Sequence, residues 1–363
     1  MSPEPKPGVC EIEPYVAGRA PTAEDRPAFK LSSNESALGT SPKAIAAYEA
    51  VRNDLSNYPD GGACILRNAI ADLHGLDADR VVCGSGSEEL LSLLARAYLQ
   101  PGDEVLFTEH AFIVYRIAAL SSSAVPVAVP EKNLRADVDA ILAHVTARTR
   151  LIYLANPNNP TGSCLAAEEV ERLHAGLPHG VLLVIDAAYA EYVQRADYEP
   201  GARLVSRFDN VVMTRTFSKI YGLAGLRVGW AYCPPSVADV LDRVRGPFNV
   251  TTAAQAAAAA ALADRVHVQR SIAHNAEWKT WLVQKIRTAG LEVDEGEGNF
   301  LLVRFPSETP RDARSADAFL ARRGFILRPV ANYGLPHCLR LTIGTEEANR
   351  GVARALADFM RPT

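Results

Sequence analysis

The chain has 363 residues, with 38 Lys and Arg against 42 Asp and Glu, a net charge of −4 at neutral pH, and 48% hydrophobic and 22% charged residues. That length exceeds a usual single-core domain and predicts one large domain with a smaller one, in a chain of ordinary soluble globular composition. Slight acidity without blocks of Lys or Arg excludes nucleic acid and anionic membrane as main partners, and no apolar run reaches the length of a membrane span.

The opening MSPEPKPGVCEIEP lacks the basic and apolar regions of a secretory leader. Six cysteines, at 10, 64, 83, 164, 233 and 338, are scattered without a C-x-x-C pair, which predicts a reducing cytoplasm and neither disulfides nor zinc. His174 and His179 have finger-like spacing but no cysteine pair before them, so no metal is expected. About thirty proline-rich, polar residues, including Tyr15 and ending in KLSSNES, read as an arm.

Pro42 to Leu55 reads as a helix, with Ser41 as N-cap and proline at the first position. The turn NYPDGG, Asn57 to Gly62, precedes a second helix, Ala63 to Leu73. Val81-Val82-Cys83 is a short strand running into Gly84-Ser85-Gly86-Ser87 and an apolar helix, Leu90 to Leu99. Strand, glycine turn and helix start can cradle a phosphate, because unpaired amides at a helix N-terminus attract anions. The same residues equally make a plain tight turn. The third glycine of a dinucleotide fingerprint is absent, as is the G-K-[ST] of a P-loop.

PGDEVLFTEH reads as turn then strand, followed by a helix carrying Phe112 and Tyr115. Val125 to Val129 and Leu151 to Ala155 are strands, the latter ending in Asn156-Pro157-Asn158-Asn159-Pro160-Thr161-Gly162, a polar turn where open α/β sheets place ligand-binding groups. After a helix from Glu168 to Leu177, the apolar strand Val181 to Ile185 ends in Asp186-Ala187-Ala188-Tyr189. Asp186 is either a helix N-cap or the partner of a cation, since a carboxylate directly after a buried strand is costly alone. The strand Val211 to Thr214 delivers Thr216, Phe217, Ser218 and Lys219, followed by Gly222, Gly225, Arg227 and Gly229. A lysine there is desolvated and faces an arginine, both of which lower its pKa and free its amine for Schiff-base chemistry. Thr216, Ser218 and Arg227 suit a phosphate dianion. A nucleophilic amine beside a phosphate site points to pyridoxal phosphate.

Strands alternate with helices from about residue 80 to 235, which predicts a largely parallel sheet between helices. Beyond it lie a helix from Ser236 to Arg245, an alanine-rich helix around Ala253 to Leu262, and a long helix from Arg265 to Arg287. Strands at Asn299–Phe305, Phe325–Pro329 and Cys338–Ile343, with helices Ala313–Arg323 and Thr345–Met360, form an α+β unit carrying Arg328 and Arg340 on or beside strands.

Lys219, Asp186 and NPNNPTG in this order, with EPYVAGR, LSSNES, NYPDGG, GSGSEE, DAAY, RTFSKIYGLAGLRVGW and RPVANYGLPHCLRLTIGTEE, make the chain resemble the histidinol-phosphate aminotransferase family. That family consists of fold-type I pyridoxal phosphate enzymes. The resemblance covers nearly the whole chain. It implies an α/β large domain with a mostly parallel, seven-stranded sheet over residues 36–264, a small α+β domain over 265–363, and an arm, 1–35, that joins the small domain in part.

By the same resemblance, Lys219 forms the internal aldimine and shuttles the substrate's proton, and Asp186 pairs with the pyridine nitrogen. Asn159 and Tyr189 contact the ring's 3′ oxygen. Phe112 stacks on the ring, although it also suits plain core packing. Thr216, Ser218, Arg227 and the amides around Gly86 and Ser87 hold the phosphate, and Tyr58 reaches the phosphate of a partner subunit in a homodimer with shared sites. Arg328 and Arg340, with Tyr15 and Asn159 nearby, bind the substrate's anionic end. The implied reaction passes the amine of L-histidinol phosphate to 2-oxoglutarate, giving imidazole acetol phosphate and glutamate, in histidine biosynthesis. Its rivals are an aromatic amino-acid aminotransferase on this scaffold, a phosphothreonine-type decarboxylase and a cofactor-binding protein without turnover. DAAY and NES depart from the commoner D-E-A-Y and N-E-N, which puts specificity in doubt but touches no proposed catalytic atom.

Overall fold

The computed structural model describes residues 3–14 and 28–361. Its largest sheet has seven strands in the spatial order Val81–Gly84, Gly229–Tyr232, Val211–Thr216, Leu182–Asp186, Thr149–Ala155, Glu104–Thr108 and Val125–Val129. Gly229–Tyr232 runs antiparallel to both neighbours, while the other pairings are parallel. The central strands are buried along their whole length, as expected when helices cover both faces. Alternation then divides the core. Leu183, Ile185, Val211 and Met213 join one apolar cluster, and Leu182, Val184 and Val212 join the cluster on the other face. Register sets Ala155 opposite Asp186 and Asp186 opposite Thr214. The carboxyl ends that bear the polar motifs are therefore level, which is what gathers a site there.

A second, antiparallel sheet has the order Arg328–Pro329, Cys338–Thr342, Phe300–Arg304, Glu292–Asp294. Phe29–Lys30 pairs in parallel with Phe325–Ile326. The helix Arg265–Thr288, about 36 Å long at 1.5 Å per residue, puts Val268 into the core of the large sheet and Trp278, Leu282, Val283 and Ile286 into that of the small one. Its N-cap, Asp264, accepts the hydroxyl of Ser41 at 2.6 Å. Ser41 in turn caps the helix Pro42–Ala50 by accepting from the amides of Lys43 and Ala44. The alanine-rich helix Thr252–Ala263 packs closely against that helix and against Cys64–His74, as small side chains permit.

Four expectations need correction. The first helix stops at Ala50, where Arg52-Asn53-Asp54 turns the chain with the Asp54 amide bonded to Val51 O. Phe112 precedes its helix, which starts at Val114. The helix after Gly86 begins at Ser87, three residues before its apolar run, because Ser87, Glu88 and Glu89 supply a polar first turn. Phe325–Pro329 is two strands in two sheets, divided at Leu327. Strands at Phe29–Lys30, Gly229–Tyr232 and Glu292–Asp294 carry no sequence signal strong enough to be read. Among the described residues no helix is long and apolar enough to cross a membrane.

Candidate active site

A cavity of about 260 Å³ opens at the carboxyl ends of the large sheet, lined on its chemical side by Lys219, Asp186, Tyr189, Asn159, Ser218 and Arg227. Lys219 follows the end of Val211–Thr216, and its Nζ donates to the carbonyl of Ser33 at 3.2 Å. Desolvation, then the charges of Arg340 and Arg227, lower its pKa to about 7, with Glu35 and Asp186 opposing. The amine is therefore substantially unprotonated near neutrality, as a nucleophile must be.

Asp186 is the last residue of its strand and is buried. Its Oδ2 accepts the hydroxyl of Tyr115 at 2.8 Å and its Oδ1 that of Thr214 at 3.0 Å. Burial raises its pKa, while these two donors and Lys219 act against the rise. Both donors require the carboxylate as acceptor, and a further cationic N–H in the cavity would complete its set. The N-cap reading of Asp186 fails, because the three-residue turn after it is capped by Tyr189 and has no side-chain cap bond.

At the other end of the cavity, Gly86 caps the helix Ser87–Tyr98 with no side-chain hydrogen bond, so the helix's first amides remain free of a cap. A Cβ on Gly86 would lie 2.5 Å from Arg227 Nη2, which places that guanidinium directly over the helix start. Arg227 Nη1 donates to Ser218 Oγ at 3.1 Å, and Thr216 Oγ1 accepts from the Ser218 amide at 3.1 Å. Amides, guanidinium and hydroxyls thus converge as a phosphate cradle. Carboxylate, amine and cradle match the ring nitrogen, aldehyde and phosphate of the cofactor that the sequence implies.

Asn159 Oδ1 accepts from Arg340 Nη1, which leaves the Asn159 amide hydrogens for the cavity. Arg340 also donates to the carbonyl of Ser32 at 2.6 Å. Arg328 lies opposite Arg340 in register, and both are buried, each 6% exposed. Neither arginine lines the cavity itself; Arg340 adjoins it through Asn159. Phe112 lines the cavity and meets Tyr115 edge-on, with ring centroids 5.9 Å apart.

One expected residue lies elsewhere: Tyr58 is on the surface, 81% exposed, stacked on Phe248 at 4.5 Å. Tyr15 is outside the described residues. Three residues were missed. Tyr115 grips Asp186, Glu35 lines the cavity, and Asn34 donates to Tyr189 Oη at 2.8 Å. Only the polar run SSNES signals the last two, and it read as part of an arm.

The sequence profile of aminotransferase class I and II matches residues 26–356. A histidinol-phosphate aminotransferase of Rhodopseudomonas palustris (strain BisB18) is 53% identical over 359 residues, covering 99% of this chain and 98% of the relative. The crystal structure of histidinol-phosphate aminotransferase from Sinorhizobium meliloti in complex with pyridoxal-5′-phosphate is 29% identical, with a TM-score of 0.88 over 97% of this chain and 96% of that one. The histidinol-phosphate aminotransferase of Clostridium acetobutylicum, 21% identical with a TM-score of 0.83 over 92% and 99% of the two chains, shares the fold.

Proposed function

The chain belongs to the class I and II aminotransferases, enzymes that work with pyridoxal phosphate, and we propose that it transfers the amine of L-histidinol phosphate to 2-oxoglutarate in the cytoplasm as a step of histidine biosynthesis. The full-length, 53% identical relative of that activity carries this reading. The cofactor, attached through its aldehyde, supplies an electron sink that lets the substrate's Cα lose a proton.

The chain's own residues do the rest. Lys219, with its pKa near 7, holds the cofactor and afterwards takes and returns the proton at Cα. Asp186, which accepts from Tyr115 and Thr214, would pair with the ring nitrogen and favour its protonated form. Tyr189 and Asn159 donate to the 3′ oxygen, and Phe112 covers the ring. Arg227, Ser218, Thr216 and the amides at Gly86 and Ser87 anchor the phosphate, which fixes the reacting geometry. Arg340, which adjoins the cavity through Asn159, and Arg328, opposite it in register, would with Tyr15 and Asn159 take the anionic end of the substrate. Two guanidiniums suit a phosphate dianion.

We place the division between the large and small domains at the start of the long helix, Arg265, with the arm of residues 1–35 contributing to the small one. The working unit is a homodimer in which Tyr58 serves the partner's site. A half-reaction titration tests the substrate. L-Histidinol phosphate and L-phenylalanine are added separately to the cofactor-loaded protein without keto acid, while loss of the cofactor's colour is followed. Fast bleaching at low concentrations of histidinol phosphate alone is expected. Preference for phenylalanine would instead mean that the arginines read a carboxylate.

A further inference from the structure

The segment Ser32–Glu35 borders the cavity through Ser33 and Glu35 and is bonded to Thr342 and Arg340 of the small sheet, yet none of the roles above uses its side chains. Asn34 is its centre. It is 1% exposed and sits in the left-handed region at φ 56°, a conformation asparagine tolerates better than most residues. Its backbone amide donates to Thr342 Oγ1 at 3.0 Å, and Thr342 Oγ1 donates its one proton to Asn34 Oδ1, also at 3.0 Å. Asn299 Nδ2 donates to the carbonyl of Asn34 at 3.1 Å.

The amide presents Oδ1 to Thr342 Oγ1 and Nδ2 to Tyr189 Oη, to which Nδ2 donates at 2.8 Å. A phenol has one proton. With its oxygen accepting from Asn34, and donating to no protein atom among the described residues, that proton is left for the cavity that Tyr189 lines. We propose that Asn34, locked by Thr342, is a positioning residue that makes Tyr189 a one-way hydrogen-bond donor to the cofactor's 3′ oxygen. Burial supports this by pushing the Tyr189 phenol up to about 12, so the proton is present at working pH. The charged and titratable groups around Tyr189 are Arg340, Asp186, Tyr333, Tyr115, Tyr192 and, 5.7 Å over its ring, Lys219.

The inference rests on the cofactor reading given above. A donor at the 3′ oxygen stabilises negative charge there, and so favours the deprotonated form of the cofactor–lysine adduct. Losing the donor therefore raises the pH at which the adduct's visible absorption changes. The experiment titrates that absorption in wild type, Asn34→Asp, Thr342→Val, Tyr189→Phe, and each of the first two combined with Tyr189→Phe. Melting temperature is recorded beside it, which a purely structural role would move alone.

Asn34→Asp replaces the donor by an acceptor that takes the phenolic proton. It is expected to raise the midpoint by about one pH unit, the size of one charge-assisted hydrogen bond. Thr342→Val leaves the amide unlocked and shifts it the same way by less, so the test survives if Asn34→Asp folds poorly. Both shifts should vanish in the Tyr189→Phe background. Midpoints equal to wild type, or shifts that persist undiminished without the phenol, would overturn the proposal, the latter assigning the effect to charge alone. A wild-type protein with no titrating visible band would overturn the cofactor reading itself, and this inference with it.

Discussion

Lys219 occupies a position that protonation opposes. Its folded pKa of about 7 lies below the ordinary 10.5, so between those values the unfolded chain binds more protons than the folded one. In that window stability rises with pH; at and below pH 7 the folded state bears the whole cost of burying the charge. In the cofactor-free protein, Lys219→Met should therefore melt higher than wild type at pH 7, and the gap should close as pH rises toward 10.5. A gap that stays constant across that range would mean that the lysine is not desolvated. The same variant should lose covalent trapping of the cofactor by borohydride. Lys219 and Asp186 were legible because ionisable groups directly after apolar strands are conspicuous in one dimension. Asn34 and Tyr115 were not. Their meaning lies in hydrogen bonds to Tyr189 and Asp186, 155 and 71 positions away, and no local pattern records such a pairing.

Among the elements, the contact between strand Gly229–Tyr232 and the start of helix Ser87–Tyr98 shapes the phosphate end of the site. A Cβ on Gly229 would lie 2.3 Å from the Ser87 amide nitrogen, which is backbone and cannot give way. At Gly86 the obstacle is the tip of Arg227, a flexible side chain, although φ is 85°. The two alanine substitutions should consequently separate stability from binding. Gly229→Ala should cost about 3 kcal/mol or more in urea unfolding, at the upper end for overpacking. Gly86→Ala should cost only about 1 kcal/mol, the strain of a left-handed residue, while weakening cofactor binding at least tenfold by displacing Arg227. Equal effects on both measurements would contradict this division. These glycines also explain why the strand was missed. GWAY begins with a residue of poor strand propensity, which here permits the close approach of the Ser87 backbone. Periodicity found the five parallel strands with long apolar runs, and it failed where Leu327 passes the chain from one sheet to another.

At the level of the whole molecule, the surface around Tyr58 is rich in exposed apolar side chains. Leu55, Tyr58 and Ile65 are 82%, 81% and 76% exposed, with Tyr48, Ile45 and Phe248 each close to half exposed. Ile45, Tyr48 and Ile65 lie on the two helices packed against the alanine-rich helix, and Tyr58 stacks on Phe248 between them in sequence. Exposed apolar surface gathered in this way marks an interface, and the proposed homodimer supplies its occupant. The pair of substitutions Leu55→Glu and Ile65→Glu replaces only exposed side chains. It should leave melting by one subunit nearly unchanged while converting the protein to monomers in analytical ultracentrifugation. Those monomers should also lose activity, because Tyr58 would no longer reach a partner's cofactor. Complementation separates that loss from general damage. Tyr58→Phe keeps the stack on Phe248 and removes only the hydroxyl, and Lys219→Ala removes the amine. Each should be strongly impaired as a homodimer, yet subunit exchange places both defects in one site of the mixed dimer and leaves the other site intact. Regained activity approaching half that of wild type per mixed dimer is expected. Fully active monomers, or no recovery after demonstrated exchange, would show that each cavity is complete within its own chain.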